Sequence, residues 1–402
     1  MVSMEEKIYK PREFARLIGH SVFTLQRWDR LGILKAKRSP TNRRYYTHQQ
    51  YLDFLGKREA YPHSEDPHLE ESAYTAQTSH YHTFQRRKQM RIITIYNKKG
   101  GTGKTSCATN LAANLAALGF KVALLDGDEQ ANASMLTLPH RYQRPTLTHV
   151  VSENVPLLDA MYQARRNLWI VPADMHLTRA VEYIHGQQDF DVLCDRVDDL
   201  QADLEESASE ELPWWNKPEV RPRDFKIEPT TQEEFHTHPD YLDFLIFDNP
   251  PNPNALTTAM LYASQEVLIP VELEEYAYQG LAQMFEDIQR KFRRRQQKLK
   301  ITGIVPFKVN HTGALTVDYL SSVWRAFPTL TTFSIHTDKT IPNAQAYQKT
   351  SFEEDRSSRG AKELFALALR IAGYQGKIVG FDDCKHCAHA RELAQQAEVV
   401  EV

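Results

Sequence analysis

A glycine-rich stretch between an apolar run and a helical pattern constrains the fold of this 402-residue chain more than any other feature. It reads Tyr96-Asn-Lys-Lys-Gly-Gly-Thr-Gly-Lys-Thr105; the apolar run covers residues 92–95 and the helical pattern residues 107–118. Glycines have no Cβ, so such a loop can curl until its backbone N–H groups point at one anion at the positive end of the following helix. A strand, a glycine-rich turn and a helix in this order predict a phosphate-binding loop and a nucleoside triphosphate ligand.

The residues of this loop have separate predicted parts in binding a triphosphate. The predicted nucleotide-binding residues are Lys99, Gly100, Gly101, Thr102, Gly103, Lys104, Thr105 and Ser106. Lys104 is placed to reach the β and γ phosphates, and the hydroxyl of Thr105 can bind Mg²⁺. The alternative is a glycine-rich turn whose lysines are merely solvated.

Lys99 adds a feature that a generic phosphate loop lacks. It precedes the first glycine and gives Lys-Gly-Gly-x-Gly-Lys-Thr, which resembles the deviant phosphate loop of the ParA/MinD ATPases. In that family the extra lysine crosses a dimer interface to the nucleotide of the other subunit. The resemblance therefore implies an ATP-dependent homodimer, ATP and Mg²⁺ as cofactors, and catalytic roles for Lys99 and Lys104.

A carboxylate-rich box follows the next predicted strand. Residues 121–126 are apolar in the middle and end at Asp126, as expected of a buried parallel strand. The continuation Asp126-Gly-Asp-Glu-Gln-Ala-Asn-Ala-Ser134 resembles the family's Asp-x-Asp-Pro-Gln-Gly-Asn-Ala-Thr box, with Glu129 in place of proline. The resemblance implies that Asp128 is catalytic and orients the attacking water, and that Asp126 lies near the Mg²⁺ shell. Capping of the next helix by these two aspartates is the alternative.

Another apolar strand pattern ends at Asp248, a carboxylate that can hold Mg²⁺ through water as the Walker B aspartate does. The predicted metal residues are therefore Thr105, Asp126 and Asp248. Asn249 stands where the family usually has threonine or serine.

Further apolar runs alternate with helical patterns and predict an α/β fold with a doubly wound, mostly parallel sheet in residues 90–375. The nucleotide is expected outside the carboxyl ends of its strands.

Residues 187–240 are acidic and polar and are interpreted as an insertion in this domain. Their charge run predicts a solvated face. Trp214 and Trp215 within this segment are a candidate surface for a partner protein.

The first 58 residues predict a small basic module with a helix-turn-helix arrangement. Leu25 and Trp28 lie on the apolar face of its second helix, and residues 35–46 are hairpin-like. The module resembles the winged helix-turn-helix of MerR-type regulators, in which Tyr45 or Tyr46 packs the wing. The predicted DNA contacts are Gln26, Arg27 and Arg30 on base edges and Arg43 and Arg44 on the backbone. The alternative is a helical packing module with a solvated basic face.

A second basic run ends the helix that is predicted to begin near residue 281. The candidates for sequence-independent DNA contacts are Arg290, Arg293, Arg294, Arg295 and Lys298. Phosphate contacts need charge and reach but no base code, so the DNA surface of the family can be displaced to this run. The alternative is a solvated helix end whose cations suit the helix dipole.

Two segments outside the predicted domains carry weaker signals. Residues 59–89 are rich in His, Ser, Thr and Pro and are interpreted as a linker. The tail, residues 376–402, contains Cys384-Lys-His-Cys387, a candidate zinc site whose close spacing strains tetrahedral closure. The acidic end of this tail argues against a basic membrane helix.

Composition limits the setting in which these domains act. The net charge of −3 gives no global signal for a polyanion, and the chain has no run of about eighteen apolar residues. Four cysteines over this length do not make a disulfide framework, so we expect a cytoplasmic protein.

The motifs together predict a ParA-type ATPase for plasmid or DNA segregation. The resemblance implies slow hydrolysis that a ParB-type centromere-binding partner stimulates, an ATP-bound dimer on nucleoid DNA, and repression of its own operon through the helix-turn-helix. The alternatives are a nucleotide-responsive transcription regulator and a positioning ATPase for a protein cargo.

Overall fold

A computed structural model describes residues 7–18, 25, 28–29, 32–39, 44–56, 89–138, 142, 145–204, 217–231, 234–273, 277–295, 299–310, 314–327 and 330–379. The chain divides into two compact units, one of Met1–His82 with Asp198–Asp203 and the other of Thr83–Val197 with Leu204–Val402. Among the described residues, no helix is both long and apolar enough to span a lipid bilayer.

The smaller unit contains a three-stranded antiparallel sheet. Its elements are β1 (Ile8–Tyr9), α1 (Pro11–Ile18), β2 (Lys37–Arg38), β3 (Arg44–Thr47) and α2 (His48–Gly56), with the strand order β1-β3-β2. Its core includes the buried side chains of Phe14, Trp28, Tyr46 and Phe54. The Tyr46 ring stacks on Phe14 with 4.5 Å between the ring centroids. Tyr46 rather than Tyr45 therefore packs the hairpin of β2 and β3 against the helices.

Strands and helices alternate in the rest of the described chain. The strands are β4 (Arg91–Ile95), β5 (Val122–Asp126), β6 (Tyr162–Arg165), β7 (Leu168–Val171), β8 (Glu219–Val220), β9 (Phe244–Asp248), β10 (Glu266–Glu272), β11 (Lys300–Phe307), β12 (Thr331–Thr332) and β13 (Lys377–Ile378). The helices are α3 (Lys104–Ala117), α4 (Asn132–Thr137), α5 (Leu147–Ser152), α6 (Thr178–Gln187), α7 (Val192–Asp203), α8 (Ala255–Ala263), α9 (Ala277–Arg295), α10 (Ala314–Ala326), α11 (Thr340–Ala346), α12 (Ser351–Glu354) and α13 (Arg359–Ala372).

The central sheet has the strand order β12-β11-β10-β4-β9-β5-β7-β6. Every neighbouring pair is parallel except β6 and β7, which are antiparallel at one edge. The buried strands of its centre are continuous apolar runs, such as the Phe-Leu-Ile-Phe of β9, because helices cover both faces of such a sheet. The doubly wound, mostly parallel sheet expected from the sequence is confirmed.

The register of the central strands places their carboxyl ends level with one another. Ile95 of β4 pairs with Asp248 of β9, and Asp248 pairs with Asp126 of β5. The glycine-rich loop that follows β4 therefore begins beside two strand-end carboxylates.

The segment of residues 187–240 contributes to the hydrophobic core and does not form only a charged face. Val192 and Val197 of α7 are buried. Phe225 packs against Phe365 of α13, with 5.1 Å between the ring centroids. These few buried apolar residues were not recognised in the sequence because acidic and polar residues surround them.

Candidate functional site

The glycine-rich loop occupies residues 96–103, between the end of β4 and the start of α3. Gly101 and Gly103 have φ values of +74° and +89°, which residues with a Cβ rarely adopt. The Asn97 side chain fixes the start of the loop: its Nδ2 donates to the carbonyl oxygen of Pro270 at 2.6 Å, and its Oδ1 accepts from the N–H of Lys99 at 2.9 Å. Asn97 was not among the predicted site residues, although a polar residue two positions after a buried strand was the available signal.

We expect Gly103→Ala to lower the affinity for ATP about 10-fold, since the left-handed conformation costs a residue with a Cβ roughly 1–2 kcal/mol. A Cβ at Gly103 would also lie 2.8 Å from the Phe307 ring, so the ring must shift. Titration with a fluorescent ATP analogue measures the change. Gly186→Ala is the control, because Gly186 lies in α6 and a Cβ added there would meet no described atom within 4 Å apart from its chain neighbours and the backbone of its own helix. This variant should keep wild-type affinity. Equal affinities in the two variants would contradict this account of the loop.

The two lysines of the loop have different environments. Lys104 is only 6% exposed, and its Nζ donates to the carbonyl oxygen of Lys99 at 2.9 Å. Burial lowers the pKa of Lys104, and the nearby carboxylates of Asp248 and Asp128 oppose this shift. Lys99 is exposed at the surface. The structure therefore places one lysine inside the loop and the other toward solvent.

The first turn of α3 carries two hydroxyls beside the loop. Thr105 and Ser106 are half-buried, and Thr102 in the loop donates from its Oγ1 to the Lys99 carbonyl oxygen at 3.4 Å. Gln345 of α11 donates from its Nε2 to the Ser106 Oγ at 2.7 Å. Gln345 was not among the predicted site residues, because 239 residues separate it from Ser106 in the sequence.

Asp248 is a buried carboxylate with few hydrogen-bond donors around it. It is fully buried, and no group in the described ranges donates a well-formed hydrogen bond to either of its oxygens. Burial and the neighbouring Asp126 raise the pKa of Asp248 well above its usual range, while the hydroxyl of Thr105 and the charge of Lys104 act in the opposite direction. A buried carboxylate with two unpaired oxygens, next to a hydroxyl, is a donor set that suits a hydrated Mg²⁺ ion.

We expect Asp248→Asn to stabilise the nucleotide-free protein by about 1–3 kcal/mol at pH 7, because it removes a buried carboxylate that accepts no well-formed hydrogen bond from the described residues. A raised pKa means that the native state binds this proton more tightly than the unfolded state. The wild type therefore loses stability as the pH rises above about 4, the pKa of an unfolded aspartate, up to the raised pKa of the native state. The advantage of the variant should grow over the same interval, and chemical denaturation from pH 4 to 8 measures it. A variant that is less stable than the wild type at pH 7 would contradict the assignment.

Asp126 is satisfied by its own loop. Its Oδ1 accepts from the N–H of Asp128 at 3.1 Å, and its Oδ2 accepts from the N–H and the hydroxyl of Ser134 at 2.8 and 2.7 Å. Burial raises the pKa of Asp126 to about 6, although the bonds from Ser134 act to lower it. The carboxylate therefore holds residues 126–134 in place, which agrees with the alternative that it organises the start of α4.

Asp128 lies next to this network and is also buried. Its Oδ1 accepts a hydrogen bond from the N–H of Gln130 at 3.1 Å. It is close enough to Lys104 and Asp248 to affect the pKa values of both. The structure thus brings Lys104, Asp128 and Asp248 together at the carboxyl edge of the sheet.

Asn249 joins the ends of two central strands. Its Nδ2 donates to the Oγ1 of Thr94 at 2.7 Å and to the carbonyl oxygen of Ile95 at 3.0 Å. These two hydrogen bonds explain structurally why asparagine fits at a position where the family usually has threonine or serine. They fix β9 to β4 just before the glycine-rich loop.

The predicted DNA contacts of the smaller unit are described only in part. Gln26, Arg27, Arg30 and Arg43 lie outside the described residues. Arg44 is in β3, where its Nε pairs with the carboxylate of Asp29 at 3.2 Å. An ion pair of this kind orients the guanidinium and reduces its reach toward a phosphate.

The basic end of α9 is more engaged with the protein than its sequence indicates. Arg290 and Arg293 are exposed, and Arg290 pairs with Asp287 at 2.6 Å. Arg295 pairs with Asp191 and lies over the Tyr262 ring at 4.0 Å from its centroid. The side chain of Arg294 and all of Lys298 fall outside the described residues, as do Trp214, Trp215, Cys384 and Cys387.

A glycine-rich loop at the end of a central parallel strand, beside a buried lysine and strand-end carboxylates, defines a P-loop nucleotide-binding protein. Residues 93–352 match the family described as the CobQ/CobB/MinD/ParA nucleotide binding domain, and residues 9–56 match the MerR helix-turn-helix family of regulatory proteins. The chain belongs to the CobQ/CobB/MinD/ParA family. The resemblance found in the sequence is confirmed, and so is the enzyme class at the level of the family: an ATPase that uses ATP and Mg²⁺.

The chain is also similar to individual curated proteins. The chain is 29% identical over 218 residues to the chromosome partitioning protein ParA of Caulobacter vibrioides. The aligned region covers 54% of this chain and 68% of that protein. It is 26% identical over 285 residues to the sporulation initiation inhibitor protein Soj of Bacillus subtilis, and this alignment covers 70% of this chain and 98% of Soj. These similarities support a partition or positioning ATPase.

Solved structures show the same fold. An ATP complex of McdA from Cyanothece is similar with a TM-score of 0.56 at 21% identity, covering 72% of this chain and 98% of McdA. MinD of Pyrococcus horikoshii, complexed with Mg-ADP, is similar with a TM-score of 0.51 at 20% identity. The match covers 72% of this chain and 100% of MinD.

Proposed function

We propose that this protein is a DNA-partition ATPase in which ATP closes a homodimer, the dimer binds DNA, and hydrolysis releases it. A ParB-type centromere-binding protein would stimulate hydrolysis, and the N-terminal unit would repress the operon of the protein. The cell compartment is the cytoplasm, with the ATP-bound form on the nucleoid. The observation that carries the proposal is the pair of loop lysines, one buried in its own site and one exposed.

The residues of the site have distinct tasks in this proposal. The N–H groups of the loop and of the first turn of α3 bind phosphate oxygens, and Lys104 supplies the positive charge at the β and γ phosphates. Thr105 and Asp248 would hold Mg²⁺, which when bound neutralises charge on the phosphates. Asp126 keeps the loop of residues 126–134 in shape, so that Asp128 can orient a water molecule. Positioning and charge rather than covalent chemistry carry such a reaction, and slow intrinsic turnover follows.

Lys99 has the exposure that a contact with a second subunit requires. The bond from its N–H to the Asn97 Oδ1 fixes its backbone, while its side chain is at the surface. A cation that reaches the phosphates only after dimerisation makes the dimer depend on the triphosphate. ATP and ADP should therefore give different assemblies.

DNA binding is proposed at two places with different character. Arg290 and Arg293 at the exposed end of α9 can contact phosphates without reading a sequence. The smaller unit carries Lys37 and Arg38 on the exposed β2 strand, which corresponds to the wing of the MerR resemblance. Binding through α9 should depend on ATP, whereas binding through the smaller unit should depend on the operator sequence.

The test is a DNA titration of the purified protein with ADP, with ATP and with a non-hydrolysable ATP analogue, on an operator duplex and on a random duplex. We expect the analogue to promote binding to random DNA, and ATP to do so until it is hydrolysed. A steep loss of this binding with salt identifies phosphate contacts. Dimers that form with ATP but bind neither duplex would refute the partition role.

The match of residues 9–56 to MerR regulators supports one further candidate, a transcription regulator whose ATPase domain reports the nucleotide state. It predicts operator binding that changes with nucleotide and no coating of random DNA by the ATP form. A positioning ATPase for a protein cargo differs from both, since its cargo rather than a centromere-binding protein would stimulate hydrolysis.

A further inference from the structure

A polar contact joins the segment after β12 to the first turn of the P-loop helix. Gln345 and Ser106 are both half-buried, and the Nε2 of Gln345 donates to the Ser106 Oγ at 2.7 Å. An amide NH₂ group can only donate hydrogen bonds, whereas a serine hydroxyl can accept one and still donate its own proton. The contact therefore leaves the hydroxyl proton of Ser106 available for a different acceptor.

A second contact fixes the same segment one turn further along α3. The buried Asn110 donates from its Nδ2 to the carbonyl oxygen of Ser106 at 2.8 Å, and its Oδ1 accepts from the N–H of Ser351 at 2.9 Å. Residues on α11 and α12 thus contact two successive turns of α3. Two hydrogen bonds therefore join this segment to α3, and Gln345, which makes one of them, is half-buried.

We propose that Gln345 is a positioning residue that orients the Ser106 hydroxyl toward the phosphates of the bound nucleotide. The inference rests on the proposed ATP site. Ser106 lies in the first turn of α3, where unpaired N–H groups attract an anion. Without a donor on its oxygen, a serine hydroxyl in a helix tends to turn back to a carbonyl of the preceding turn. The donor from Gln345 fills that oxygen and favours donation of the hydroxyl proton to phosphate.

The test compares four variants of the full chain by titration with a fluorescent ATP analogue and a fluorescent ADP analogue. We expect Gln345→Ala and Ser106→Ala each to weaken binding of both nucleotides about five-fold, the usual worth of one hydrogen bond. The double variant should bind no more weakly than Ser106→Ala alone, since Gln345 acts only through Ser106. Gln345→Glu keeps the size of the side chain but can only accept, so it takes the Ser106 proton and weakens binding at least as much as Gln345→Ala.

Gln348→Ala is the matched control, because it removes an exposed glutamine three residues away and should leave binding unchanged. Gln345→Glu separates orientation from packing: wild-type affinity in this variant would overturn the proposal. An equal loss from Gln345→Ala in the Ser106→Ala background would also overturn it. If the wild type itself binds no ATP, the proposed function fails as well; if the wild type binds ATP and Gln345→Ala binds equally well, only this inference fails. Thermal unfolding of each nucleotide-free variant identifies any that does not fold, and the remaining variants then decide.

Discussion

In the Lys104→Gln variant, ATP hydrolysis should fall about 10²- to 10³-fold, the usual effect of removing one preorganised charge or donor from an active site. The Nζ of Lys104 is already held at the Lys99 carbonyl oxygen, in a buried position between the loop and the carboxylates. A charge that is in place before the substrate arrives needs no reorganisation as negative charge shifts on the phosphates. Burial lowers the pKa of Lys104, but Asp248 and Asp128 support its charged form. Phosphate release at saturating ATP and Mg²⁺ measures the loss.

Lys98→Gln is the matched control for this substitution. Lys98 precedes the glycines of the same loop, is exposed and pairs with Asp287 of α9. Exposed pairs of this kind contribute little, at most about 1 kcal/mol, so hydrolysis should stay within a few-fold of the wild type. A Lys104→Gln protein that hydrolyses ATP as fast as Lys98→Gln would rule out the role assigned to Lys104.

The fold could be predicted because its signals are local and repeated. Apolar runs of strand length, such as residues 244–247 and 267–271, alternate with helical patterns, and this order permits few architectures other than a doubly wound sheet. The glycine-rich loop was recognisable because its glycines, lysines and hydroxyls are adjacent in the sequence. Both inferences depend on neighbours along the chain.

Contacts between distant residues could not be predicted in this way. The bonds from Asn97 to Pro270 and from Gln345 to Ser106 join residues 173 and 239 positions apart. In each bond one partner lies in or next to the glycine-rich stretch, whereas the other, Pro270 or Gln345, belongs to no motif. Arg295 belongs to a basic run, yet its pairing with Asp191 and its position over Tyr262 follow from packing alone. The sequence gives the residue types of a site but not which of them are already bound to one another.

The two strand-end aspartates illustrate this limit. Asp126 and Asp248 end neighbouring strands in register, and the sequence assigned both to the metal. The oxygens of Asp126 accept bonds from Asp128 and Ser134, whereas those of Asp248 have no well-formed bond within the described residues. We therefore propose that Asp248 contributes more directly to Mg²⁺ binding and that Asp126 shapes the loop that carries Asp128.

Replacement of Lys99 by alanine should abolish the ATP-dependent dimer and reduce hydrolysis about 100-fold or more, while each subunit still binds ATP within a few-fold of the wild type. The reason is the difference between the loop lysines: Lys104 is buried in the site of its own subunit, and Lys99 is exposed. Size-exclusion chromatography with a non-hydrolysable analogue measures the dimer, and Lys98→Ala is the control that should still dimerise. An unchanged nucleotide cycle in Lys99→Ala would contradict the proposed role.

A mixture of the Lys99→Ala and Lys104→Gln proteins distinguishes action in the same subunit from action across the dimer. If Lys99 reaches the neighbouring nucleotide, the mixed dimer contains one complete site, formed by Lys104 of the first variant and Lys99 of the second. Mixing two inactive proteins should then restore hydrolysis. If Lys99 acts on the nucleotide of its own subunit, every site in the mixture lacks one lysine, and the mixture cannot exceed the activity of its components.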